Sequence, residues 1–336
     1  MRIGLNPNKD IHSKPSDYLH QVIIPVYIPN LEGYFTDSLK ILKLCITSLF
    51  NTVHDKTFIT IVNNGSCQAV KDYLESLFNT GKIQELIHTE NIGKLNSIIK
   101  GLVGNDIELV TISDADVLFL PNWQQETVKI FNNVPNAGVV GIVPQFKMYE
   151  NYCGNVIYDN LLSKKLKFFA VKNPEALKRF YDSIGWDRNY NKDYLKYNLG
   201  LEISSDLSVL IGAGHFVATY KKNVFSVITS FLGHKLGGDS EVYLDKAPLK
   251  KDYWRLTTLD NYAYHMGNTF EDWMEVVSKP RDFRGEVISN FNINKKTNSF
   301  SYFLKNKLFV KFFSISFFNR LILKWKGLPK QVVKKY

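Results

Sequence analysis

The sequence predicts an α/β fold built on a mostly parallel sheet flanked by helices. Two observations carry this. From residue 20 to about 120, short and almost wholly apolar runs alternate with stretches of helical period, and a polar cluster follows each apolar run. Strands apolar on both sides need cover on both faces, which crossover helices supply. In such sheets ligands gather beyond the carboxyl ends of the strands. A third observation is compositional: 336 residues, 45% hydrophobic and 22% charged, can hold one large or two modest domains with a proper core. Disordered and collagen-like classes are excluded.

QVIIPVYIP (21–29) is expected as a buried strand that stops at proline. Leu39, Leu42, Ile46 and Leu49 then recur at helical spacing behind Asp37 and Ser38, two residues of capping type. FITIV (58–62) makes a second strand closed by the turn NNGS, and Val70, Leu74, Leu77 and Phe78 mark the apolar side of a second helix. IQELIHT opens a third β/α unit, residues 95–102 form a short helix, and ELVTIS (108–113) is a fourth strand. Later the period is less regular. VVGIVPQF (139–146) is expected as a strand, SVLIGAGHFVATY (208–220) as strand interrupted by glycines, and 150–205 as insertions and loops around a site. There is no internal repeat and no low-complexity linker.

The net charge of +10 is a property of the tail. Residues 295–336 hold eleven Lys/Arg and no Asp/Glu, so the rest of the chain sums to −1, 31 basic against 32 acidic residues. That argues against a nucleic-acid partner and for a local anionic one. MRIGLNPNKDIHSKPSD has no apolar core and does not read as a signal peptide. Cys45, Cys67 and Cys153 have no metal-ligand spacing and suit a reducing compartment.

The chemistry-bearing residues sit at strand ends. Asp114 and Asp116 follow the fourth strand, and two carboxylates beside a buried strand are costly unless compensated. Mg²⁺ or Mn²⁺, held by one or two carboxylates and phosphate oxygens, would compensate them; capping aspartates are the plainer alternative. No GxGxxG or GxxxxGK[ST] is present. Instead Pro25 and Tyr27 end the first strand, Asn63 and Asn64 the second, and Asn91, Lys94 and Asn96 follow the third. Together they offer amide and backbone groups for a base and ribose and a lysine for a pyrophosphate, although each alone suits a turn. In GGDSE, Asp239 or Glu241 is either a general base or a helix cap. His265 in AYHMGN stands before a glycine turn, where a histidine is ordinarily structural. Tyr149, Trp186, Tyr190 and Trp254 offer faces for sugar rings or simply fill a core.

The order VIIPVY, IVNNGS, ENIGKLN, SDAD, GGDSE and AYHMGN resembles the family 2 inverting glycosyltransferases of the GT-A fold, over about residues 20–270. The resemblance implies that Asp116, with Asp114, holds a metal on the diphosphate of a nucleotide sugar, with His265 as a third ligand. It implies that Glu241, or else Asp239, is the base, with Glu241 preferred because Leu244 follows it. Asn63 stands where the family commonly has Asp, NIGKLN is shorter than the usual segment, and Ser240 occupies the first acidic position. The implied division is a lead-in (1–19), a nucleotide-sugar-binding half (20–120), an acceptor-binding half (121–285) and a basic, aromatic-rich helical tail (286–336). The implied partners are a nucleotide-sugar donor, UDP-sugar first, and a glycan or lipid-linked acceptor. Competing readings are a sugar nucleotidyltransferase, whose usual glycine-rich phosphate loop PVYIPN lacks, a non-catalytic nucleotide- or carbohydrate-binding module, and a basic membrane adaptor.

A bilayer span needs roughly twenty predominantly apolar residues. Lys305, Lys307, Lys311, Arg320 and Lys324 interrupt the tail, whose longest uncharged part is Phe312–Asn319, so it does not span. Two placements remain. The tail lies in an anionic membrane interface, or Phe309, Phe312, Phe313, Phe317 and Phe318 pack back on the domain. The expected setting is cytoplasmic and peripheral on the inner face of the cell membrane.

Overall fold

Strand β1 (His20–Val26) is buried along nearly its whole length, as an apolar run covered on both faces must be. The computed structural model of the chain describes residues 4, 6, 9–12, 16–227, 231–233, 235, 240–277 and 298–336. After β1 come α1 (Ser38–Phe50), β2 (Thr57–Asn64), α2 (Gln68–Asn79), β3 (Glu85–Thr89), α3 (Lys94–Leu102) and β4 (Leu109–Ser113). This is the expected alternation, and β1–β4 pair in parallel. Val22, Ile24 and Val26 of β1 pack with α1 and α2, whereas Ile23 packs with Leu95, Ile98 and Leu102 of α3, so the two faces are covered by different helices. β1 ends at Val26 and contains Pro25. Pairing to β4 stops at Ile23, so the missing N–H of Pro25 falls where one flank is already open. Asp37 precedes α1 without capping it; its Oδ2 accepts from Phe270 N at 2.9 Å.

The second half departs from the expectation of loops over 150–205. It contains β5 (Val117–Phe119), α4 (Trp123–Asn133), β6 (Ala137–Gly141), α5 (Gly154–Asn160), β7 (Leu166–Ala170), α6 (Pro174–Ser183), β8 (Tyr197–Ser204), β9 (Leu207–Ile211) and β10 (Val217–Lys221). α7 (Ser240–Lys246), β11 (Trp254–Thr258), β12 (Ala263–His265) and α8 (Asp272–Val277) follow. α6 is well specified locally: Asn173 Oδ1 accepts from Ala176 N at 2.9 Å, and Pro174 takes the first helical position. SVLIGAGHFVATY divides at Gly212, with φ +101°, into β9 and β10. The large sheet runs β3-β2-β1-β4-β10-β6-β11-β9-β8-β7. β6 and β11 are parallel, but β10 is antiparallel to both neighbours and β7, β8, β9 and β11 form antiparallel pairs, so the sheet is mixed.

The tail folds as α9 (Ser299–Phe303) and α10 (Phe309–Phe313), joined by a π-helical turn, then α11 (Ser316–Trp325) and α12 (Lys330–Val333). Its inner face is core. Phe309, Phe313, Ile322, Leu323, Leu328, Val332 and Val333 pack with Val140, Val156, Val209 and Leu256. Lys305 lies 2.8 Å from Asp159 and 2.9 Å from Asp252. No helix among the described residues is long and apolar enough to cross a membrane. The three cysteines are free, with Cys45 and Cys153 buried.

His20 is 1% exposed, with Nε2 2.6 Å from Thr111 Oγ1, and burial pushes its pKa from the ordinary 6.5 down to about 3, with His54 adding repulsion. The folded pKa is depressed, so this stability is present above pH 6.5 and is lost as pH falls towards 3. By pH 5 the loss is about 2 kcal/mol. Urea titrations of wild type and His20→Gln at pH 7 and 5 should show a smaller acid loss in the variant. Equal losses would place the sensitivity elsewhere.

Candidate active site

After Ser113 the chain leaves the large sheet. Asp114 N still donates to Phe216 O at 2.7 Å, but the next strand, β5, pairs with β12 in a small separate ribbon that sets Val117 opposite His265. Met266 N donates to Asp116 O at 2.8 Å. The ribbon thus brings together two side chains far apart in sequence: Asp116 Oδ2 lies 3.4 Å from His265 Nε2. His265 Nδ1 in turn lies 3.0 Å from Ser183 Oγ, at the end of α6, a second partner of the kind that fixes a ring's orientation. Lys94, the first residue of α3, places Nζ 2.6 Å from Asp114 Oδ1.

Lys94, Asp114 and Asp116 form the floor of a cleft of about 470 Å³ at the carboxyl ends of β1, β2 and β4, and His265 lies against Asp116. Burial pushes the Asp116 carboxyl above the usual carboxylate range; the His265 imidazole opposes this, Asp114 adds to it and Lys94 opposes it. Asp116 Oδ1 is buried and receives no hydrogen bond among the described residues. Such an oxygen is costly in an empty fold.

Among the described residues no group of three His, Cys, Asp or Glu side chains forms a complete metal cage. The Asp116–His265 pair nevertheless fits a Mn²⁺ or Mg²⁺ that completes its shell with phosphate and water oxygens, because Oδ1 is unclaimed and Nε2 converges on the same carboxylate. Asp114, expected as a metal ligand, is ion-paired with Lys94 through Oδ1.

The profile of Glycosyl transferase family 2 matches residues 22–192, just over half of the chain. The chain belongs to glycosyl transferase family 2. Among solved structures it is similar to S. aureus TarS 1-349, at 13% identity and TM-score 0.43, covering 74% of this chain and 60% of that one. The same TarS fragment in complex with UDP-GlcNAc matches at 13% identity and TM-score 0.44, covering 76% and 60%. The mannosyltransferase PcManGT from Pyrobaculum calidifontis, in complex with GDP-Man and Mn2+, matches at 15% identity and TM-score 0.41, covering 74% and 57%. The chain therefore spans about 60% of the length of these structures. No curated protein matches it. Family membership decides against the nucleotidyltransferase alternative.

In this glycosyltransferase Pro25, Tyr27, Asn64, Asn91, Lys94, Asp114 and Asp116 all line the cleft, as the strand-end argument expects. Asn64 and Asn91 also hold the turn backbone: Asn64 Oδ1 accepts from Ile92 N at 2.8 Å. Gly65 is required there, since at φ +83° a Cβ would lie 2.8 Å from Asn91 N.

Two of the expected residues lie off the cleft lining. Asn63 does not line the cleft: it is buried, its Oδ1 accepts from Ser66 N at 3.0 Å and its Nδ2 lies 2.9 Å from His88 Nδ1. Asn96 is also buried, and it clamps Leu232 with two hydrogen bonds of 2.8 and 2.9 Å. α7 begins at Ser240, where the glycine-led run predicts a helix start. Asp239 and the side chain of Glu241 lie outside the described residues.

Of the proposed stacking aromatics, Tyr149 is buried, Trp186 packs edge-on against Tyr181, Tyr190 tilts against Phe146, and Trp254 donates to Asp159 at 3.0 Å. None lines the cleft. Its apolar wall is Tyr27, Tyr34 and Phe35, in edge contacts of 6.2 and 5.1 Å, and Lys235 and Asn268 also face it. The adjacent aromatics Tyr34 and Phe35, a few residues after the first strand, were the available signal for that wall.

Proposed function

We propose that the enzyme transfers a glycosyl group from a nucleoside-diphosphate sugar, UDP-sugar first, to a hydroxyl of a glycan or lipid-linked acceptor with inversion. The setting in this reading is bacterial surface polysaccharide, lipopolysaccharide or glycan assembly on the cytoplasmic side of the membrane. The observation that carries the reading is the cleft itself: an aromatic wall for a base and ribose stands over a floor of Lys94, Asp114 and Asp116, with His265 against Asp116.

In this reading Lys94 sets positive charge beside the departing diphosphate. Asp116 and His265 would hold the divalent cation, which neutralises charge on that leaving group. Glu241, or Asp239 in its place, accepts the acceptor's proton as its oxygen bonds to the anomeric carbon and the carbon–oxygen bond to the diphosphate breaks. One displacement inverts the anomeric centre and leaves no covalent sugar–enzyme species.

Calorimetry with UDP, GDP and dTDP tests the donor assignment. UDP should bind, about tenfold or more tightly with Mn²⁺ than without. GDP or dTDP binding in its place would overturn the base, and failure of all three would remove the donor site.

A further inference from the structure

α11 is apolar on two faces. Its inner face buries Ile322 and Leu323 in the core, yet Phe317, Leu321 and Trp325, one turn apart from each other, are 65%, 48% and 57% exposed. A helix seated on a domain ordinarily turns polar residues outward. Here the outward row is apolar and is bordered by a parallel row of Arg320 and Lys324. The preceding helical stretch repeats the arrangement: Phe303 and Phe312 are exposed beside Lys307 and Lys311. The rings of Phe312 and Phe318, 4.0 Å apart, join the two stretches.

Two further features mark the same side. Trp325 borders a cleft of about 300 Å³ that is also lined by Lys164, Lys167 and Lys326, and Leu162 at its rim is 86% exposed. From residue 298 to the end the chain contains no Asp or Glu.

We propose that this outer face docks the protein on an anionic lipid bilayer. The Phe317–Leu321–Trp325 row enters the acyl boundary, the exposed Arg320, Lys324, Lys307, Lys311 and Lys164 meet the phosphates, and the helices lie in the interface plane. Charge selects this occupant. A protein partner would need a carboxylate-rich rim around an apolar centre, whereas an anionic bilayer presents both chemistries over any footprint. The proposal stands apart from the donor reading, since none of these residues lines the donor cleft.

The test is sedimentation of the full-length protein with vesicles of phosphatidylcholine alone or mixed with phosphatidylglycerol. Point variants are used because the inner face of the tail is core. Wild type should partition onto the mixed vesicles and leave phosphatidylcholine about tenfold less occupied. Combined Phe317→Ser, Leu321→Ser and Trp325→Ser, or combined Arg320→Glu and Lys324→Glu, should each weaken binding about tenfold or more, with melting temperature and nucleotide binding unchanged. Absent binding, equal partition onto both vesicles, or variants that bind like wild type would each overturn the proposal. So would a wild-type dimer in sedimentation velocity that the serine variant dissolves without any vesicle binding, since a second copy then covers the face.

Discussion

Asp116→Asn is expected to lower kcat by roughly 10²- to 10³-fold. It should also abolish the Mn²⁺ dependence of nucleoside-diphosphate binding, with little change in acceptor KM. The substitution preserves shape and removes one charge at the floor of the cleft, beside His265 at 3.4 Å. Leaving-group stabilisation lost only in the transition state lowers kcat and kcat/KM together. The folded protein should not suffer, because a buried carboxylate oxygen without a hydrogen bond is unfavourable until a ligand meets it. Steady-state kinetics, calorimetry and a melting curve on one preparation decide the matter. A variant with wild-type turnover would remove Asp116 from the reaction, and one that loses turnover only by unfolding would make it structural.

Arg255→Met should cost about 3–5 kcal/mol of stability. Arg255 is 1% exposed on β11, with Nη2 2.7 Å from Asp245 Oδ1 and a further hydrogen bond to Ala213 O. Deleting the guanidinium takes the 2.7 Å partner from a largely buried carboxylate, which keeps His215 at 3.9 Å, whereas replacing both charges by apolar groups relieves most of that penalty. Arg255→Met with Asp245→Leu should therefore recover much of the loss in urea denaturation. Asp245 lies one turn after Glu241 on α7, so the single variant should also lower kcat beyond its unfolded fraction. An unchanged urea midpoint would show that the pair contributes nothing net.

The parallel half was legible because its central strands are apolar runs, such as VIIPV, between helices of clear period. The antiparallel half was not. β9 and β10 lie a few residues apart in sequence, but β11 and β6 intervene in the sheet, and nothing local to SVLIGAGHFVATY encodes that separation. α6 carried readable signals in Asn173 and Pro174, obscured by the Tyr- and Lys-rich surroundings.

Lys94, Asp114 and Asp116 line one cleft because strand ends in such sheets converge. Asn63 and Asn96 lie off that cleft, and the sequence does not separate the cases: an amide that grips a loop backbone and one that grips a ligand are the same residue type in the same kind of turn. The tail posed a choice between core and surface, and the described helices use their inner side for the first while leaving an apolar row on the second.

The insertion of β10 between β4 and β6 has a consequence for synthesis. Both neighbours leave the ribosome well before β10, so the growing chain holds β4 as an unpaired edge until residue 221 has emerged. An open apolar edge is a template for pairing with another chain. Fragments that stop short of β10 are therefore expected to aggregate even though they contain every parallel strand of the donor half.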